Sequence, residues 1–172
     1  MELSIPKSWN EVSVGQYIEL RPVLTAEMND IERLIHILAV LLKAPVQDIK
    51  QIQMKHYPAI KKELSFLWDE ELPREVQNRF EIDGKWYEIV LNARELNGGQ
   101  YMSVATKLKG VEDDPELVYN SLHEILASLS IPVEKKKFGW RTLELDNTYY
   151  QDTAKAFYNS LPISIAYPIG VF

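Results

Sequence analysis

The chain has 172 residues, 46% of them hydrophobic and 26% charged, with a net charge of −6. That composition supports a folded core of one domain or two small lobes, and an acidic surface repels phosphate backbones, so nucleic acid is not expected as a partner. It contains no cysteine, which excludes disulfides, thiolate nucleophiles and cysteine-bound zinc.

The opening Ile5-Pro6-Lys7-Ser8-Trp9 reads as an extended arm, since Pro6 disfavours helix for Ile5. A short helix is expected to start near Ser13. The next is a longer one over about residues 30–43, capped by Asn29 with Glu32 three positions on. Ile31, Ile35, Leu38 and Leu42 form its stripe, and Leu34, Ile37, Val40 and Leu41 widen it nearly all round, the pattern of a helix buried on more than one side. Pro45 ends it and begins a short helix through Ile52. Pro58 opens a helix over AIKKELSFLWDE.

From Arg79 the period changes. RFEI-DG-KWYEIV places β-formers on both sides of Asp83-Gly84, a two-residue type I′ turn signal, and predicts a β-hairpin. A short helix is expected at residues 100–107. Another is capped by Asp114 with Pro115 in its first position, with Val118, Leu122, Ile125 and Leu129 as its stripe and Ile131-Pro132 as its stop. Glu134 and Lys135 to Lys137 read as a solvated turn before Phe138 and Trp140. Asn147 is expected to cap a last helix over about 148–159, ended by Leu161-Pro162.

One pattern occurs twice. Gly15-Gln16-Tyr17 recurs as Gly99-Gln100-Tyr101, and each copy is followed by an apolar helix and a proline stop. Shifted by 87 positions, Ile31, Ile35, His36, Leu38, Leu42 and Pro45 fall on Val118, Leu122, His123, Ile125, Leu129 and Pro132. A duplicated unit and convergent helix patterning both account for this. The expected fold is α+β and mainly helical: two related helical units with an intervening β-hairpin. The blocks are residues 1–75, 76–97 and 98–172, packed as one compact domain.

Chemistry-bearing motifs are sparse. No serine stands in a G-x-S-x-G setting, no H-E-x-x-H or phosphate-binding glycine loop occurs, and no cofactor or metal is expected. His36 and His123 occupy equivalent places in the repeat. They read either as a paired site or as two partly buried imidazoles satisfied locally, and the second reading is preferred. Asp69-Glu70-Glu71 and Glu112-Asp113-Asp114 read as solvated helix ends. The aromatic residues point to protein contact instead: Trp9, Tyr17, Trp86, Tyr101, Trp140, Tyr167 and Phe172 are the candidate partner-binding residues, with the N-terminal arm and the apolar tail SIAYPIGVF as docking segments.

The segments PKSWNEVSVGQYIEL and ERLIHILAVLLKAP, with the second copy GGQYMSV through NSLHEILASLSIP, resemble small proteins of the head–tail morphogenesis region of tailed bacteriophages, some of them called tail assembly chaperones. The resemblance implies a non-enzymatic role in virion assembly. Its partners would be other phage structural or assembly proteins, or further copies of itself, in the host cytoplasm or in the virion, without nucleic acid or membrane. The alternatives are a cytosolic adaptor or regulatory module unrelated to phages and, behind it, a hydrolase using the acidic runs with His36 or His123.

Overall fold

The computed structural model describes residues 4–109, 115–145 and 148–170. Helix α1 (Val14–Thr25) starts where Ser13 predicts. The Ser13 Oγ accepts from the Gln16 amide at 3.2 Å, and the Gln16 side chain accepts from the Ser13 amide at 2.9 Å. This reciprocal box satisfies two donors that a helix start leaves orphaned. Helix α2 (Asp30–Leu41) follows, with Asn29 accepting from the Glu32 amide at 2.9 Å. It buries Leu34, Ile35, Ile37, Leu38 and Leu41, but Ile31 is 46% exposed, so the first turn of the expected stripe faces solvent. Lys43, at φ 49°, closes α2 in a left-handed turn, and Pro45 caps α3 (Val46–Ile49).

The helix expected over AIKKELSFLWDE is two: α4 (Tyr57–Glu63) and α5 (Phe66–Asp69). Tyr57, Ile60, Leu64 and Leu67 share one helical stripe and are buried. Phe66 lies off that stripe, and the break at Leu64-Ser65 brings it into the core, edge-on to Trp9 at 5.2 Å.

Strands β1 (Arg79–Ile82) and β2 (Lys85–Ile89) form the predicted hairpin, with Asp83 at φ 50° and Gly84 at φ 77°. Two positive φ values are what a type I′ turn requires. Helix α6 (Gly98–Leu108) begins two residues before the expected start, on a second capping box between Asn97 and Gln100. The helix expected after Asp114 is broken at Ser121 into α7 (Pro115–Asn120) and α8 (Leu122–Leu129), while Asp114 itself and Asn147 lie outside the described residues.

The run expected as a solvated turn is exposed throughout, but only Lys137 lies in a turn: Glu134, Lys135 and Lys136 belong to strand β3 (Ser130–Lys136), which turns back into β4 (Gly139–Thr142). The sheet is a four-stranded antiparallel meander in the order β1-β2-β3-β4. The free edge of β2 recruits β3, pairing Tyr87 with Pro132 and Trp86 with Val133. The hairpin between the helical units is therefore half of a sheet completed by the second unit. Helix α9 (Tyr149–Ser160) covers its inner face, where Phe157 meets Phe80 at 5.6 Å and Tyr87 at 5.0 Å.

The tail is helix α10 (Ile163–Gly170). The amide of Ile163 donates to the Val12 carbonyl at 2.8 Å and that of Val14 to the Leu161 carbonyl at 2.9 Å, tying the last helix to the first. Ile5, Trp9, Ile163, Ala166 and Ile169 are buried in one apolar core with residues from all three sequence blocks. The arm and the tail, expected to dock on another chain, dock on their own. Among the described residues no helix is long and apolar enough to cross a membrane.

The repeat is visible in the helices. In α1 and α6 the Gly-Gln-Tyr tripeptide occupies the same three positions of the first turn, its glutamine closing the box. Helix α1 packs on α2, and α6 packs on α8. The copies then diverge: α2 is one unbroken helix that ends at Lys43 and leads into the short α3, whereas its counterpart is broken into α7 and α8 and leads into β3.

Candidate interaction surfaces

The expected partner-binding aromatics fall into different environments. Trp9 is 6% exposed; its indole Nε1 donates to the Glu70 carbonyl at 3.1 Å, and its ring stands edge-on to Tyr17 at 5.8 Å. Trp9 is a core residue rather than a partner anchor, because Phe66 and Tyr17 already enclose it. Tyr17 and Tyr167 are half-buried and joined through Tyr119, at 6.2 Å from Tyr17 and stacked on Tyr167 at 5.8 Å. Arg21 lies 4.4 Å above the Tyr119 ring. Burial, reinforced by Tyr167, pushes the Tyr119 hydroxyl up to about 12. This row staples α1 to α7 and α10, so its ring faces are largely spent inside the chain. Phe172 lies outside the described residues.

Trp86 and Trp140 are brought together on the outer face of the sheet. Their rings are 5.0 Å apart and tilted by 56°. Val133, cross-strand partner of Trp86, is only 4% exposed between the strands that carry them. Arg79 forms two bonds to Glu88, at 2.9 and 2.8 Å, and its guanidinium lies 5.4 Å from the Trp140 ring. A bidentate pair beside a tryptophan pair is held more rigidly than a lone surface ion pair.

Sequence reasoning missed the residue at the end of this face. The β3–β4 turn consists of Lys137 and Phe138, and Phe138 is 92% exposed, with the Lys137 ammonium 5.4 Å from its ring. Lys135 and Lys136 precede it; Lys136 is paired with Glu134 at 2.6 Å and holds that carboxyl below its usual range. The turn chemistry explains the miss. Asp83-Gly84 supplies the residues a two-residue hairpin favours, but Lys137-Phe138 does not. Neither Lys137 nor Phe138 has a positive φ; Gly139 takes the unusual angle instead, at φ 143°. A local rule broken at an exposed tip marks a place where shape serves something other than folding.

Tyr101 stands on α6, 57% exposed, beside an apolar groove of about 620 Å³ lined by Val90, Leu91, Val104, Leu108 and Ile169. His123 packs edge-on to Tyr158 at 5.1 Å, and its buried Nδ1 has no hydrogen-bond partner among the described residues. Burial lowers its pKa, with Lys107 adding to the effect and Glu124 opposing it. His36 is half-buried on α2, and among the described residues no group of three or more His, Asp or Glu side chains is placed to hold a metal. Asp69, Glu70 and Glu71 are exposed at the end of α5. No protein-family model, curated protein or solved structure matches this chain.

Proposed function

We propose that the chain is an assembly or minor virion protein of a tailed bacteriophage, acting by protein–protein contact through the outer face of its sheet and the β3–β4 tip. The observation that carries the docking surface is Phe138, 92% exposed at a tip that also presents Lys135 and Lys137 and continues into the Trp86–Trp140 pair. Tryptophan and arginine dominate binding energy at protein interfaces, and an aromatic side chain has only two torsions to fix on docking. The chemistry fits a partner surface with an apolar pocket rimmed by carboxylates. The phage context rests on the resemblance of residues 6–20 and 32–45 and of the second copy. A non-phage adaptor would use the same surface, so partner identity separates the two readings.

The test is co-expression with the head and tail proteins encoded beside this chain, followed by affinity capture. The expected result is capture of one of them by the natural chain, reduced about tenfold or more by Phe138→Ala or Trp140→Ala, as truncation of a central anchor does. Capture that is unchanged by both substitutions rejects this surface. Failure to capture any of those proteins rejects the phage reading.

A further inference from the structure

We propose that α6 is a latch: it undocks from α8 as one unit while the rest of the fold stays closed, and so covers or uncovers an apolar strip. The internal repeat supplies the comparison. The counterpart of α6 in the first copy, α1, places Val14 and Leu20 in the apolar core and packs Tyr17, Ile18, Val23 and Leu24 against it. Among the described residues, no side chain of α6 is in that core or packed against it, and the only buried residue of the helix is Gln100. Helix α1 is also gripped by α9: an added Cβ at Gly15 would lie 2.5 Å from the Tyr158 ring and 2.7 Å from its carbonyl oxygen. At the equivalent Gly99 it would meet only the cap oxygen of Asn97, at 3.3 Å. An element with few buried apolar contacts opens at a free energy below that of global unfolding.

The directional fastenings of α6 to α8 are two polar pairs. The Ser103 and Ser128 hydroxyls share a hydrogen bond of 2.7 Å, and Lys107 pairs with Glu124, both side chains partly exposed. An ion pair open to water in this way adds little to stability. The second glutamine is also less well held than the first. Gln16 Nε2 donates to the Leu41 carbonyl at 2.8 Å, tying α1 to the end of α2, whereas the buried Gln100 Nε2 has no hydrogen-bond partner among the described residues. A buried donor left unsatisfied favours the open form, in which water reaches it. Ser128 is only 3% exposed, and Ile125, three residues before it on α8, is 7% exposed although it lies outside the main core. Val104 and Leu108 of α6 share their apolar groove with Val90, Leu129 and Ile169. Release of α6 bares Ser128 and turns that groove into an open apolar strip.

The latch is independent of the docking tip, and its test needs no partner. In hydrogen exchange of the natural chain, the amides of residues 101–108 are expected to exchange about a hundredfold or more faster than those of residues 17–25, after correction for intrinsic rates. They are also expected to share one opening that urea promotes, with a slope well below that of global unfolding, because undocking exposes surface. Equal protection of the two helices overturns the proposal. So does fast exchange without urea dependence, the mark of single bonds fraying. Because the natural chain has no cysteine, a staple can be set across the contact. Ser103→Cys with Ser128→Cys replaces hydroxyls 2.7 Å apart. Their disulfide is expected to slow exchange in residues 101–108 by about thirtyfold or more, beyond any change in residues 17–25, and reduction to reverse it. A disulfide that leaves α6 exchanging at its former rate overturns the proposal, as does failure of the two cysteines to join on oxidation.

Discussion

Gly15 and Gly99 hold the same position in two helices with the same cap, yet only Gly15 has a neighbour against it. The Tyr158 contact involves a backbone carbonyl as well as a ring, and the Tyr158 hydroxyl is fixed to Glu19 at 2.9 Å, so neither can yield freely. Gly15→Ala is expected to lower stability by about 1–3 kcal/mol, the range for overpacking. Gly99→Ala is expected to be neutral or stabilising by up to about 1 kcal/mol, from helix propensity. Urea unfolding of both variants checks the pair; equal midpoints would mean that the two helices are not packed as differently as described. His123 gives a second residue-scale expectation. Burial lowers its folded pKa, so the unfolded chain binds the proton more readily. The neutral ring's contribution is complete above the unfolded value of about 6.5 and is lost as pH falls through the lower folded value. Unfolding midpoints measured downward from pH 7 should fall, and His123→Leu should flatten that slope. A slope unaltered by the substitution assigns the acid sensitivity elsewhere.

Among the elements, those held by local bonds are legible in the sequence. Ser13, Asn29 and Asp83-Gly84 act through bonds to residues two or three positions away, so their signals survive without tertiary information. The breaks at Ser65 and Ser121 were not legible, because they arise from what the neighbouring side chains must reach: Phe66 has to meet Trp9, and that demand is invisible in the helical period. Strand β3 was hidden for a related reason. Pro132 and the lysine run argue against a central strand, and the segment becomes one because β2 presents an open edge. The amide of Leu143 donates to the Pro132 carbonyl at 2.9 Å just past the end of β4, so the proline faces the ladder where β4 has already ended and its missing N–H breaks no β3–β4 strand bond. Candidate contact residues are hidden in the same way. Trp86 and Trp140 lie 54 positions apart and meet only through the β2–β3 and β3–β4 pairings, and Phe138 becomes a hairpin tip only once β3 and β4 pair.

For the whole molecule, the sequence suggested ends that are free to dock elsewhere, and the packing argues the opposite. Ile163 is fully buried, Ala166 equally so, and Ile169 is 6% exposed. Each large aliphatic side chain buried in this way contributes about 1.5–3 kcal/mol relative to exposure. The Ser13–Pro162 bridge adds two backbone bonds between the first helix and the last. Total stability of a domain is only about 5–15 kcal/mol, so α10 holds a large fraction of it. Removing residues 163–172 should therefore unfold the chain or leave a state without cooperative melting, instead of a folded protein that has lost a partner. Leu122 would be bared as well, since Gly170 sits against its Cδ1 at a distance that leaves an added Cβ only 2.6 Å away. Near-UV circular dichroism and a thermal melt of the truncated chain distinguish the outcomes. A sharp melt with native aromatic signals would show that α10 is an accessory segment, and would restore the tail as a docking arm.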